Sequence, residues 1–177
     1  RALGAAWYLP EERQITTREQ LLDEMCSTLG GRAAEDIVFG KVSTGALNDL
    51  ERVTKQAYAM VAYFGMSDRI GNLSYYDSSG QSEFVFGKPY SEKTAEMIDL
   101  EAKELVESQY QRAKDILIQN REGLDKLASI LLEKEVIFSE DLENIFGPKK
   151  GGVSEEHQLL IENGTNEKNN DQEKSSE

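Results

Sequence analysis

The residues best suited to chemistry lie in Thr44-Gly45-Ala46-Leu47-Asn48-Asp49-Leu50-Glu51-Arg52. A glycine-punctuated loop ends here and an apolar-periodic segment begins, which puts Asp49 in a first helical turn. Two readings of Asp49 stand side by side. In the first, its carboxylate suits the positive end of a helix, with Asn48 and Glu51 forming a cap of the N-x-x-E kind. In the second it is a metal ligand, because a carboxylate fixed in a first helical turn can complete a zinc site begun by two histidines elsewhere. Residue types alone do not choose between them.

Other chemistries find no support. The chain has no G-x-S-x-G nucleophile elbow and no G-x-x-x-x-G-K-[ST] phosphate loop; Gly87-Lys88 runs into a proline. His157 is the single histidine and sits near the C-terminus, so neither a His-based triad nor a histidine-rich metal site can be assembled from this sequence. Adjacent carboxylates such as Glu35-Asp36 point in different directions on a helix and suit a solvated surface. Cys26 has no partner thiol, which excludes a disulfide framework, favours a reducing compartment and leaves Cys26 as a small core residue. The acceptor-like triplets Asn72-Leu73-Ser74 and Asn163-Gly164-Thr165 are read as chance matches, since nothing points to secretion.

At 177 residues the chain is long enough to bury a core. A net charge of −13 argues against a nucleic-acid backbone or an anionic membrane surface as partner. No apolar run approaches the roughly 18 residues of a transmembrane helix. The chain opens at Arg1 without an initiator methionine or a signal peptide, and reads as the tail of something longer.

The elements that must position Asp49 follow from periodicity and caps. Ala5 to Pro10 reads as a short edge strand, with Trp7 and Leu9 on one face and Tyr8 on the other. Thr17 and Gln20 form a capping box that starts a helix with Leu22, Met25, Leu29, Ala33 and Ile37 in one stripe, ended by Gly40. Gly30-Gly31 falls inside that stripe, and the preserved period predicts a continuous helix crossed closely by another backbone. A third segment carries Leu47, Leu50, Val53, Ala57, Met60, Val61 and Phe64 on one face and Asp49, Arg52 and Gln56 on the other, with Gly65 just past its end. From Ser67 to Tyr90 periodicity disappears, as in a lid or binding loop. Ser91 caps the longest helix, through Ile98, Ala102, Leu105, Ala113 and Leu117 to about Asn120. A shorter helix carries Leu124, Leu127, Ala128 and Leu131, Ser139-Glu140-Asp141 caps a last one, and the run Glu133–Phe146 reads as a small helical hairpin. Residues 148–177 are polar and acidic and read as disordered.

Five blocks then point further. R-A-L-G and W-Y-L-P-E-E (1–12), T-T-R-E-Q-L-L-D (16–23), L-G-G-R-A-A-E-D-I-V-F-G (29–40), S-T-G-A-L-N-D-L-E-R-V-T (43–54) and F-G-M-S-D-R-I-G (64–71) occur in the order and spacing of one family. Over residues 1–147 the chain closely resembles the C-terminal peptidase domain of the FtsH family, membrane-anchored AAA+ zinc metalloproteases. The resemblance implies a mainly α zinc-metallopeptidase domain, here a fragment with its short edge strand near the N-terminus. It implies that Asp49 is the third zinc ligand, after two histidines of an H-E-x-x-H helix whose glutamate is the general base. It places Trp7, Tyr8 and Leu9 where an edge strand could pair with extended substrate, although sealing the sheet edge explains them equally well.

The departure from the family pattern is that this sequence contains no H-E-x-x-H. The expectation is an inactive polypeptide on its own, belonging to an ATP-dependent zinc endopeptidase that degrades membrane and soluble proteins as a homohexamer. ATP would be used by an ATPase module, and membrane segments would also lie outside this sequence. The resemblance further implies an inner-membrane setting with a cytoplasmic protease face. The competing reading is a pseudo-protease or a non-catalytic helical assembly module.

Overall fold

Several of the described helices start or stop at a residue whose chemistry explains it. In this computed structural model the described residues are 15–76 and 89–148. The expected edge strand at Ala5–Pro10, the middle of the 67–90 loop and the tail from residue 149 lie outside them. Six α-helices follow in order: α1 (Arg18–Thr28), α2 (Gly30–Phe39), α3 (Leu47–Ala62), α4 (Glu92–Gln119), α5 (Arg121–Lys134) and α6 (Ser139–Phe146). A 3-10 turn, Thr44–Ala46, leads directly into α3. The described fold is therefore mainly α. It divides into two compact units, one running to Arg121 and the other starting at Glu122.

In the first unit, the capping box at α1 forms as its residue types require. The Thr17 hydroxyl accepts the Gln20 N–H at 3.3 Å, and the Gln20 side chain accepts the Thr17 N–H at 2.9 Å. The continuous helix expected through Gly30-Gly31 does not form. Leu29 caps α1, and α2 begins at Gly30. Among the described residues no close crossing occurs at the glycines either, since a Cβ built on Gly30 or Gly31 meets nothing within 4 Å. The pair acts through its low helix propensity, which lets the chain break and restart while Met25, Leu29 and Ala33 all stay buried. Gly40 closes α2 with φ +63°, a conformation open to glycine at little cost, and its N–H donates to Asp36 O at 2.9 Å.

The core is made against α4. Met25 and Leu29 meet Val53, Ala57, Met60 and Ala102 in one cluster. Val61, Ala62, Ile70 and Ile98 form a second, and Cys26, Ala33 and Ala113 a third. Three of the residues that α4 buries are small (Ala95, Ala102, Ala113). Two residues expected on the buried stripe of α3 are instead exposed, Leu47 at 70% and Phe64 at 57%. Leu47 is the first residue of α3, before the face turned to α1 and α4 begins. Phe64 lies past the helix end, where Gly65, at φ +63°, redirects the chain.

The segment Phe64–Gly71 docks on α4 through polar contacts. Ser67 Oγ donates to Glu101 Oε2 at 2.8 Å and accepts the Ile70 N–H at 3.2 Å. Arg69 pairs with Glu101 at 2.9 Å and Glu104 at 3.1 Å. Ser91 caps α4 by accepting the Thr94 N–H at 3.2 Å, and α4 runs 28 residues to its cap at Asn120.

In the second unit the run Glu133–Phe146 is not a hairpin of its own: it holds the end of α5, a short link and the single helix α6. Phe138, not Ser139, is the N-cap of α6. Its N–H donates to Asp141 Oδ2 at 3.2 Å, while Lys134 Nζ reaches Asp141 Oδ1 at 2.8 Å. The Phe146 ring lies directly over Gly123, in space a Cβ would occupy.

Candidate functional site

The approach to Asp49 is set by a chain of hydrogen bonds that starts one helix earlier. After Gly40 turns the backbone, the Glu35 carboxylate reaches back from α2 to the loop. Its Oε2 accepts the Ser43 N–H and its Oε1 the Ser43 hydroxyl, both at 2.9 Å. Ser43 Oγ in turn accepts the Gly45 N–H at 3.1 Å, which caps the 3-10 turn. Ala46 buries at the end of that turn and α3 proceeds from Leu47. The cap at this junction is thus Ser43, and the Asn48-x-x-Glu51 cap expected from the sequence is not made. The Glu35 carboxyl is held below the usual carboxylate range, first by the Ser43 N–H and then by the Ser43 hydroxyl.

Asp49 is the third residue of α3 and is exposed. Its negative charge lies at the positive end of the helix, where it is favourable. It makes no hydrogen bond or ion pair among the described residues. Its neighbours on the same face are committed elsewhere. Arg52 Nη2 donates to Thr28 Oγ1 at 2.7 Å and lies 3.4 Å from Glu24. Gln56 Nε2 donates to Leu21 O at 3.2 Å. Both contacts tie α3 to α1, and Glu51 is paired with Lys55 one turn on.

The other face of α2 is clamped to α4. Asp36 Oδ2 accepts the Tyr110 hydroxyl at 3.0 Å and pairs with Lys114 at 3.4 Å, and the Lys114 ammonium stands 4.9 Å from the Tyr110 ring centre. Burial, then the hydrogen bond to Asp36, pushes the Tyr110 hydroxyl above its ordinary range. Glu35 and Asp36 are therefore two carboxylates with two structural tasks, where the sequence suggested a solvated pair. The Ser43-x-Gly45 spacing was a legible turn signal. The Glu35 contact was not, because it bridges a turn whose geometry residue types do not encode.

Among the described residues no group of three histidine, cysteine, aspartate or glutamate side chains is arranged to hold a metal. Cys26 is buried and burial pushes its thiol up, which suits an inert core residue. Asp49, exposed, unpaired and fixed by the turn before it, fits the role of one oxygen ligand and cannot hold a metal alone. Trp7, Tyr8 and Leu9, expected to meet substrate, lie outside the described residues.

Comparison with known proteins gives a consistent result. A family model described as peptidase family M41 matches residues 1–145. The chain is 63% identical over 177 residues to the ATP-dependent zinc metalloprotease FtsH of Parabacteroides distasonis, covering 98% of this chain and 26% of that protein. It is 56% identical over 144 residues to the ATP-dependent zinc metalloprotease FtsH of Karelsulcia muelleri, covering 81% of this chain and 23% of that protein. It is 46% identical over 149 residues to the mitochondrial inner membrane m-AAA protease component AFG3L2 of Mus musculus, covering 84% of this chain and 18% of that protein. The chain spans about a quarter or less of the length of these relatives.

Proposed function

The chain belongs to peptidase family M41, and from that premise we propose that it works as part of the peptidase domain of an ATP-dependent zinc endopeptidase, with Asp49 as the metal ligand it contributes. The observation that carries the assignment of Asp49 is its environment: an exposed carboxylate, unpaired among the described residues, at the start of a helix anchored on both sides. Zinc, when bound, supplies a water of lowered pKa and a Lewis acid for the scissile carbonyl. This chain's part is to present one carboxylate oxygen and to hold it still, through the packed face of α3 and the turn that precedes it. The histidines and the general-base glutamate must come from residues other than these, since the only histidine here is His157.

The substrates proposed are membrane and soluble proteins, the assembly a homohexamer, and the ATP a fuel used outside this chain. The mouse relative's name supports an inner-membrane setting, and a cytoplasmic protease face belongs to the same proposal. None of the described helices is long and apolar enough to cross a bilayer. Residues 1–147 would form the domain segment and 148–177 an acidic tail.

Two assays test the assignment. The isolated chain with added zinc is expected to hydrolyse no peptide bond. In the full-length protease that carries it, Asp49→Ala is expected to release zinc and lower proteolysis of an unfolded protein substrate more than about 100-fold, with ATP hydrolysis retained. Turnover by the isolated chain, or undiminished zinc content in the variant, would overturn the assignment.

A further inference from the structure

We propose that Glu24 is a positioning residue for Asp49, gripping the two α3 side chains that share its face and so fixing how far α3 is rolled about its axis; this rests on reading Asp49 as a metal ligand. Asp49, Arg52 and Gln56 follow one another at steps of three and four, which places the later two within about 60° of Asp49 around the helix. Both end on Glu24. Arg52 Nη2 donates to Glu24 Oε1 and Gln56 Nε2 to Glu24 Oε2, each at 3.4 Å. Thr28 closes the seam: its hydroxyl gives its proton to Glu24 O at 2.8 Å and so accepts from Arg52 Nη2 at 2.7 Å. Gln56 Nε2 also donates to Leu21 O at 3.2 Å, so one polar line along α1, from Leu21 to Thr28, receives this face of α3. With both carboxylate oxygens engaged, Glu24 acts through Arg52 and Gln56 and is not itself offered to a metal.

Apolar packing reaches little of the start of α3. In its first turn Leu47, Asn48 and Asp49 are exposed and Leu50 is only partly buried. The first residue that the helix buries completely, Val53, lies a turn past Asp49. A roll of about 10° carries a side-chain tip, about 5–6 Å from the axis, through about 1 Å. The tolerance of a metal–ligand distance is about 0.2 Å. A displacement too small to open the core is therefore large for a ligand. Arg52 and Glu24 are each about half exposed, so their contact adds little to stability, and its effect falls on the direction of Asp49.

The test is the zinc dissociation constant of the full-length protease, read by chelator competition, beside its thermal midpoint and the visible absorption bands of its cobalt-substituted form. Glu24→Ala and Arg52→Ala are each expected to weaken zinc binding about tenfold and to shift the cobalt bands, and the double variant to go little further than either alone. Glu24→Gln keeps a carbonyl oxygen for the seam and is expected to recover part of the affinity. Arg52→Ala carries the test even if Glu24→Ala does not fold. Arg69, exposed to the same degree as Arg52, pairs with Glu101 and Glu104 beyond the far end of α3. Arg69→Ala is expected to leave zinc affinity and the cobalt bands unchanged. Zinc binding unchanged in Glu24→Ala and Arg52→Ala but lost in Asp49→Ala would overturn the positioning role and leave the ligand standing. Equal weakening in Arg52→Ala and Arg69→Ala would overturn it too, by showing a general loosening of α3. Zinc binding retained in Asp49→Ala would remove the ligand itself, and this inference with it.

Discussion

Among the described residues Asp49 makes no hydrogen bond or ion pair, and its charge serves only the positive end of α3. Arg52, one turn later, shows the contrast: its guanidinium is spent on Thr28 and Glu24, at the point where α1 gives way to α2. About half of each side chain of the Arg52–Glu24 pair is exposed, so the pair is worth little in water. Arg52→Ala is expected to lower stability by less than about 1 kcal/mol, as read from urea denaturation. A loss of several kcal/mol would mean that the α1–α3 seam depends on it. At this scale the sequence was informative about type and silent about company. Asp49 in a first turn was legible from glycine and periodicity. That Glu35, and not Asn48, shapes the turn before it was hidden, because a hydrogen bond between α2 and a loop depends on where Gly40 sends the chain.

Single elements were most legible where start and stop signals are local. Thr17 with Gln20, Ser91 with Thr94, and Gly40 each satisfy backbone groups within three or four residues, so residue type decides them. At Gly30-Gly31 the apolar period survives the break and so hides it. Since nothing crosses there and neither glycine has a positive φ, Gly31→Ala is expected to stabilise the first unit by about 0.4–1 kcal/mol. A destabilised variant would restore the close crossing. The α5–α6 hairpin carries a pH signature. The Asp141 carboxyl is held below its ordinary range, first by the Lys134 ammonium and then by the Phe138 N–H. A depressed carboxylate contributes stability that is full above its unfolded pKa of about 3.9 and is lost as pH falls through the lower folded value. The cap of α6 should therefore fray below about pH 4, and Asp141→Asn should flatten that dependence; amide chemical shifts along α6 during an acid titration check both.

At the scale of the first unit, α4 is the common partner. Its 28 residues extend about 42 Å at 1.5 Å per residue, and each of the three core clusters takes a residue from it. Met60 is fully buried where α1, α3 and α4 meet. Met60→Ala is expected to cost about 2–5 kcal/mol, with a lower midpoint in urea and an unchanged slope. A cost below about 1 kcal/mol would mean that the site collapses freely. Periodicity revealed that α3 and α4 each have a buried face. It did not reveal that α3 leaves Leu47 and Phe64 outside, because the length of contact between two helices is a property of their crossing.

The late position of α4 in the chain also has a consequence for how the protein is made. Asp36 meets Lys114 across 78 residues, so α2 is finished long before its clamp exists. At about 5–20 residues per second a ribosome needs roughly 4–16 s to deliver the second half of that contact. Until α4 is made, Met25 and Leu29, and Met60 once it is added, have no α4 to cover them. Nascent chains stalled before residue 92 therefore lack the helix against which this core is packed, and those stalled well beyond residue 119 have it.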